Sequence, residues 1–105
     1  MSSIAITTPF NNSVVPPSFP VNGNYMLTGP LVPVNVTAVV NHPNGQQFNF
    51  GPVPGNPDGS YQVQCANLPP TPPGQQAVLQ TQLNEVDNLQ VLAVSPAVNI
   101  SICGQ

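Results

Sequence analysis

The sequence predicts an all-β fold, an antiparallel sandwich of about seven strands, and three observations carry that expectation. Fifteen prolines and eight glycines divide the 105 residues at intervals of roughly 8–12 residues, the spacing of short strands joined by turns. Between these breaks the segments alternate apolar with polar residues or are rich in β-branched side chains, and none shows the 3.6-residue apolar period of a surface helix. Apolar residues make up 40% of the chain, enough for the core of one domain of this length and too little for two.

Each element follows from its own pattern. Ser3–Thr8 places Ile4 and Ile6 on one side of a first strand. Residues 10–20, with Pro16, Pro17 and Pro20, read as an extended connection or a broken edge strand, where proline is tolerated. Residues 22–28 form the next strand, closed by Gly29-Pro30. Val34–Asn41 puts Val34, Val36, Ala38 and Val40 on one face. His42-Pro43-Asn44-Gly45 is a turn, with Asn-Gly supplying positive φ angles for a tight hairpin. Residues 46–50 return with Phe48 and Phe50 aligned, and 51–59 form a loop ending at Asp58-Gly59. Tyr61, Val63 and Cys65 then alternate with Gln62 and Gln64 on a half-buried strand, and Leu68 anchors inward just beyond it. Prolines 69, 70, 72 and 73 with Gly74 make a crossing loop. Residues 76–83 are a strand, 84–88 a loop, and 91–102 the last strand, interrupted at Pro96. Residues 1–20 are thus an N-terminal strand with a proline-bearing arm, and 21–105 the remainder of a single domain.

Charge narrows the functional classes. Charged residues are 3% of the chain, with no Lys or Arg and a formal charge of −3, where about 25% charged is usual. A chain without cations cannot neutralise phosphates, so nucleic acid is excluded as a partner, and so is a polybasic contact with a membrane surface. The longest apolar run, 86–96, falls short of the roughly 20 residues of a helical span, so no membrane insertion is expected. The opening MSSIAITTPF lacks the basic and then apolar regions of an export signal. Trypsin-like proteases find no site, which suits a surface exposed to the outside world; a biased source proteome gives the same composition. Weak charge repulsion also eases contact between chains.

Asp58-Gly59-Ser60-Tyr61, Leu68-Pro69-Pro70 through Gly74, the following strand, Glu85-Val86-Asp87-Asn88, and then Val94 to Ile100 form a progression that resembles bacterial immunoglobulin-like and fibronectin type III-like modules. Across their last three strands such modules carry a pattern of the form dGsy, LppG, D..gn and a closing alternating strand. The resemblance implies an immunoglobulin-like antiparallel β-sandwich. It speaks to turns and core periodicity and hardly to function. Here the loop after Leu68 is longer and richer in proline than usual, and the second strand lacks the Trp or Cys of antibody-type domains.

The inventory of reactive groups is short: His42, Asp58, Glu85, Asp87, Cys65, Cys103 and hydroxyls. Alternating strand directions put Asp58, Glu85 and Asp87 at one end and His42 at the other, about 15–20 Å apart. No nucleophile–His–carboxylate set assembles in that layout, so the chain is expected not to be an enzyme. Three carboxylates at one end, with Asn56, Asn84 and Asn88, are oxygen donors of the kind that Ca²⁺ takes; Asp-Gly and Asp-Asn are equally ordinary turn and loop pairs. No other cofactor is expected, and His42 reads as a solvated turn residue. Cys65, in phase with Tyr61 and Val63, reads as a small buried apolar residue. Cys103 reads as a free thiol or a cross-link between chains. The two lie diagonally across the expected core, beyond the roughly 7 Å between Cα atoms that a bridge allows. Asn11-Asn12-Ser13, Asn35-Val36-Thr37 and Asn99-Ile100-Ser101 fit the glycosylation pattern, as an Asn-rich chain does by chance.

Two functions remain. One is a non-enzymatic structural or adhesive module of an extracellular cell surface, filament or virion assembly, with protein partners that include copies of itself. In such an assembly, residues 2–20 are the candidate arm for strand addition, against pairing within their own sandwich. The other is a ligand-binding module such as a carbohydrate-binding domain. It is weakened because there is no Trp, and because the core claims the strand positions of Tyr25, Tyr61, Phe48 and Phe50.

Overall fold

The computed structural model describes residues 3–27, 33–56, 58–86 and 90–103. Nine strands and no helix are found among them: β1 (Ser3–Thr8), β2 (Ser13–Val15), β3 (Phe19–Met26), β4 (Val34–Asn41), β5 (Gln47–Pro54), β6 (Ser60–Cys65), β7 (Ala77–Glu85), β8 (Val91–Val94) and β9 (Val98–Ile102). One sheet has the order β1-β3-β6 and the other β2-β9-β7-β4-β5, with β8 also paired to β7. All pairs are antiparallel except β2 with β9.

The two sheets face each other across one core. Ile4, Phe19, Val21, Tyr61, Val63 and Cys65 enter it from the first sheet, and Val36, Ala38, Val40, Leu79, Leu83, Ile100 and Ile102 from the second. Alternation dictates this division, because successive strand residues point to opposite faces. Each Val, Leu or Ile so covered contributes on the order of 1.5–3 kcal/mol relative to exposure. β4, the fourth strand in the chain, is an interior strand of its sheet, between β7 and the edge strand β5. It is paired along its whole length with β7 and, apart from one register shift, with β5.

Nine strands replace the expected seven because the segment between the first two strands carries a strand of its own and the last strand divides in two. The proline-bearing segment 10–20 contains β2, which joins the second sheet beside β9, while β1 pairs in the first. Residues 3–8 and 13–15 of the candidate arm are therefore both paired within the chain. The last strand bends at Ser95-Pro96 into β8 and β9, both against β7.

Three boundaries also move. β3 begins at Phe19 and includes Pro20. Tyr25 N–H donates to Gly59 O (2.7 Å), so in the register running from Phe19↔Cys65 to Asn24↔Ser60 the odd-numbered β3 residues bond to β6. Pro20 then turns its missing N–H to the other side, beyond the last β1 pair, Thr8↔Asn22, where no ladder bond is lost. β5 runs on to Pro54 through a segment expected to be loop, as an edge strand permits. β7 extends to Glu85. The hairpin at 42–45 closes with Gly45 N–H donating to His42 O (3.0 Å). Only Gly45 of the expected Asn-Gly pair has a positive φ, 94°, so this is a wider turn than a two-residue hairpin.

Candidate functional site

Asp58 and Glu85 lie at the same end of the molecule. Glu85, the last residue of β7, pairs with Val34, and Val34 O accepts from Gly55 N–H (3.1 Å) at the start of the turn that carries Asp58. In that turn Gly59 N–H donates to Asn56 O (3.0 Å), with Gly59 at φ 92°. Asp58 Oδ1 accepts from the N–H (2.9 Å) and the hydroxyl (2.7 Å) of Ser60. These bonds hold the Asp58 carboxyl below its ordinary range. Asp58 thus performs the local job of an Asp-Gly turn, tying its own loop to the first residue of β6. Asp87, the third carboxylate of the proposed Ca²⁺ set, lies outside the described residues. Among those described, no three His, Cys, Asp or Glu side chains gather as a metal site would require.

Tyr25 closes the same end. Its hydroxyl donates to Asn56 O and its ring fills the space that a side chain at Gly55 would occupy. Burial, and then the negative charge of Asp58, raise its pKa above 10.0.

His42 differs from its expected state, for it is buried at 6% exposure. Its Nδ1 accepts from Asn44 N–H (3.2 Å), so Nε2 carries the proton and donates to Pro69 O (2.9 Å). Phe48 meets the ring edge-on at 6.3 Å between centroids. The cause is the crossing loop, which folds back over this end: Leu68 N–H donates to Pro17 O (3.1 Å), Thr71 N–H to Ile102 O (2.9 Å), and Ile102 N–H to Thr71 Oγ1 (3.0 Å). Leu68 is the inward anchor expected of it, at 2% exposure. His42 therefore pins a loop, and it does so at the end opposite Asp58 and Glu85.

Both cysteines are free, Cys65 buried and Cys103 exposed. Burial pushes the Cys65 thiol up to about 12, which suits an inert core residue. Asn11 is exposed, and its Oδ1 accepts from Asn99 N–H (2.9 Å).

Sequence reasoning missed a buried hydroxyl relay between the sheets. Tyr61 donates to Ala5 O (2.7 Å) and receives a bond from Thr81 Oγ1 (2.9 Å). Thr81 N–H donates to Ser95 Oγ (2.9 Å), which donates to Pro96 O (3.2 Å). Thr81 is completely buried and Ser95 nearly so. Gly23 makes room, since a Cβ there would collide with the Tyr61 hydroxyl and Ala5 O. The only signal in sequence was a threonine in the apolar phase of its strand, between Leu79 and Leu83.

No protein-family model and no curated protein sequence matches this chain.

Proposed function

We propose that this chain is a non-enzymatic, immunoglobulin-like structural or adhesive module that acts as a spacer in an extracellular surface, filament or virion assembly. The observation that carries the reading is the path of the chain along an elongated body of 45 × 22 × 20 Å. Ser3 pairs with Met26 at the end where β3 finishes. Cys103 N–H donates to Val15 O (2.9 Å) at the opposite end, beside the crossing loop. Tension applied at these two points would run along the strands and load many ladder bonds together.

The strand orders β1-β3-β6 and β2-β9-β7-β4-β5, with the first extended segment divided between both sheets, support the immunoglobulin-like reading. A surface without Lys or Arg suits an inert spacer. The carbohydrate-binding alternative is weakened: Tyr61 is buried, Tyr25, Phe48 and Phe50 are partly buried against the core, and Phe10 is the largely exposed aromatic among the described residues. Small-angle scattering on two copies joined in series by a short linker tests the proposal. A rod of about twice the single-module length is expected, and a folded-back pair would count against it. Specific binding to a neutral glycan on an array would favour the alternative.

A further inference from the structure

We propose that the Asn44-Gly45 turn is a site of covalent self-modification, where water converts Asn44 into aspartate or isoaspartate, and that the isoaspartate product loosens the crossing loop held by His42.

The reaction needs this chain and solvent alone. The Gly45 nitrogen attacks Asn44 Cγ and gives its proton to solvent hydroxide; the Cγ–Nδ2 bond breaks, and ammonia leaves with a proton from water. The resulting succinimide ring then takes up one water. Breaking its bond from Gly45 N to Asn44 Cγ gives aspartate, and breaking the bond from Gly45 N to the Asn44 main-chain carbonyl carbon gives isoaspartate. Nothing is oxidised or reduced.

The turn suits this chemistry in three ways. Asn44, Gly45 and Gln46 are exposed, and nothing lies within 4 Å of where a Gly45 Cβ would stand, so the nitrogen is reached without displacing a neighbour. Asn44 Oδ1 accepts from Gln46 N–H (2.8 Å), which wraps the side chain around the Gly45 peptide and draws electrons from Cγ. The Gly45 N–H donates to His42 O (3.0 Å), a turn bond of the exposed kind that opens at little cost.

The chain contains a second Asn-Gly pair, Asn22-Gly23, and the fold protects it. Gly23 lies inside β3 opposite Tyr61. Because Tyr25 N–H donates to Gly59 O, the Gly23 N–H is engaged in the same ladder. Asn22 Nδ2 donates to Thr8 Oγ1 (3.0 Å), and Ala5 O and the Tyr61 hydroxyl crowd Gly23. Attack there would require parting β3 from β6. Asp58-Gly59 has the same spacing, but Ser60 holds the Asp58 carboxyl in its ionised form, and a carboxylate has no leaving group to lose.

The consequence passes through His42. Isoaspartate adds one methylene to the main chain between His42 and Gln46, whose bond from His42 N–H to Gln46 O (2.8 Å) closes the hairpin. Asn44 N–H also donates to His42 Nδ1 (3.2 Å), orienting the ring so that Nε2 reaches Pro69 O (2.9 Å). Displacing the turn therefore shifts the group that pins the crossing loop. Aspartate keeps the main chain as it was and adds one negative charge to the formal −3.

The test incubates the whole chain in mildly alkaline H₂¹⁸O, folded and in urea, and locates the heavy oxygen by mass spectrometry of peptic fragments. Relative to the rates in urea, where local sequence alone acts, folding should slow conversion at Asn22 at least about tenfold more than at Asn44. This comparison uses the unaltered chain and stands whether or not a variant folds. Asn44→Gln should abolish uptake in its fragment. In the chromatographically separated isoaspartate fraction, Thr71 N–H, which donates to Ile102 O, should exchange faster than in Asn44→Asp, which has the charge without the extra methylene. Equal slowing at both sites, no uptake at residue 44 in the folded chain while the urea sample converts, or equal Thr71 exchange in the two proteins would overturn the proposal.

Discussion

The two flanks of the molecule are closed in opposite ways. On one, β1 lies over β7 and β8, and the interior is tied by the Tyr61–Thr81–Ser95 relay, every member of which is satisfied. On the other, β6 packs against β5 and β4, and the aromatic residues of β5 stay partly open. The contrast shows what three strands facing a wider sheet entails: one flank can be sealed, and there polar groups are buried only because each finds a partner. The other flank keeps partly exposed apolar side chains on β5 beside the two strands that end the sheets, β5 and β6.

The sharpest way to break the contrast is to open the sealed flank. Gly23→Ala should destabilise the fold by about 3 kcal/mol, because the new methyl must displace Tyr61 or β1, as read by urea denaturation. Tyr61→Phe keeps the ring and should cost about 2 kcal/mol, leaving Ala5 O and the Thr81 hydroxyl without their partner; a neutral result would show that the relay is ornamental.

Alkali attacks the same interior. Burial raises the pKa of both Cys65 and Tyr61, so the folded state favours their neutral forms. The resulting stability is present below the unfolded values of 9.0 and 10.0 and is lost as pH rises through them toward the folded values. Melting temperature should hold steady up to pH 9 and fall above it. The decline should be shallower in Cys65→Ala once each variant is compared with its own neutral value.

At the end bordering the open flank, His42→Ala should cost about 1 kcal/mol by freeing Pro69 O and Asn44 N–H. It should also speed hydrogen exchange in the crossing loop ahead of the β-core. Cys103→Ser should change nothing in stability; loss of a dimer in that variant under oxidising conditions would reveal a cross-link through this exposed thiol.

Much of the strand pattern was legible because alternation is local. Val34, Val36, Ala38 and Val40 announce their face without reference to any other segment, as do Tyr61, Val63 and Cys65. Asp58-Gly59 declared a turn for the same reason. The local role of Asp58 was less legible: its Oδ1 accepts from Ser60 N–H and hydroxyl, a partner that every Asp-Gly-Ser turn offers and that no count of carboxylates reveals. His42 was misread because its turn is polar in sequence, whereas its burial depends on Pro69, 27 residues away.

The chain by itself determined where extended segments begin to alternate, where glycine and proline stop them, and that the surface carries almost no charge. Those properties depend on neighbours within a few residues and on composition. Only the tertiary structure decided which sheet each half of the first segment joins, that Thr81 and Tyr61 share a bond across the core, and which strands end each sheet. Such outcomes depend on pairing between residues far apart in sequence, where many partners are chemically equivalent and the packing of the whole selects among them.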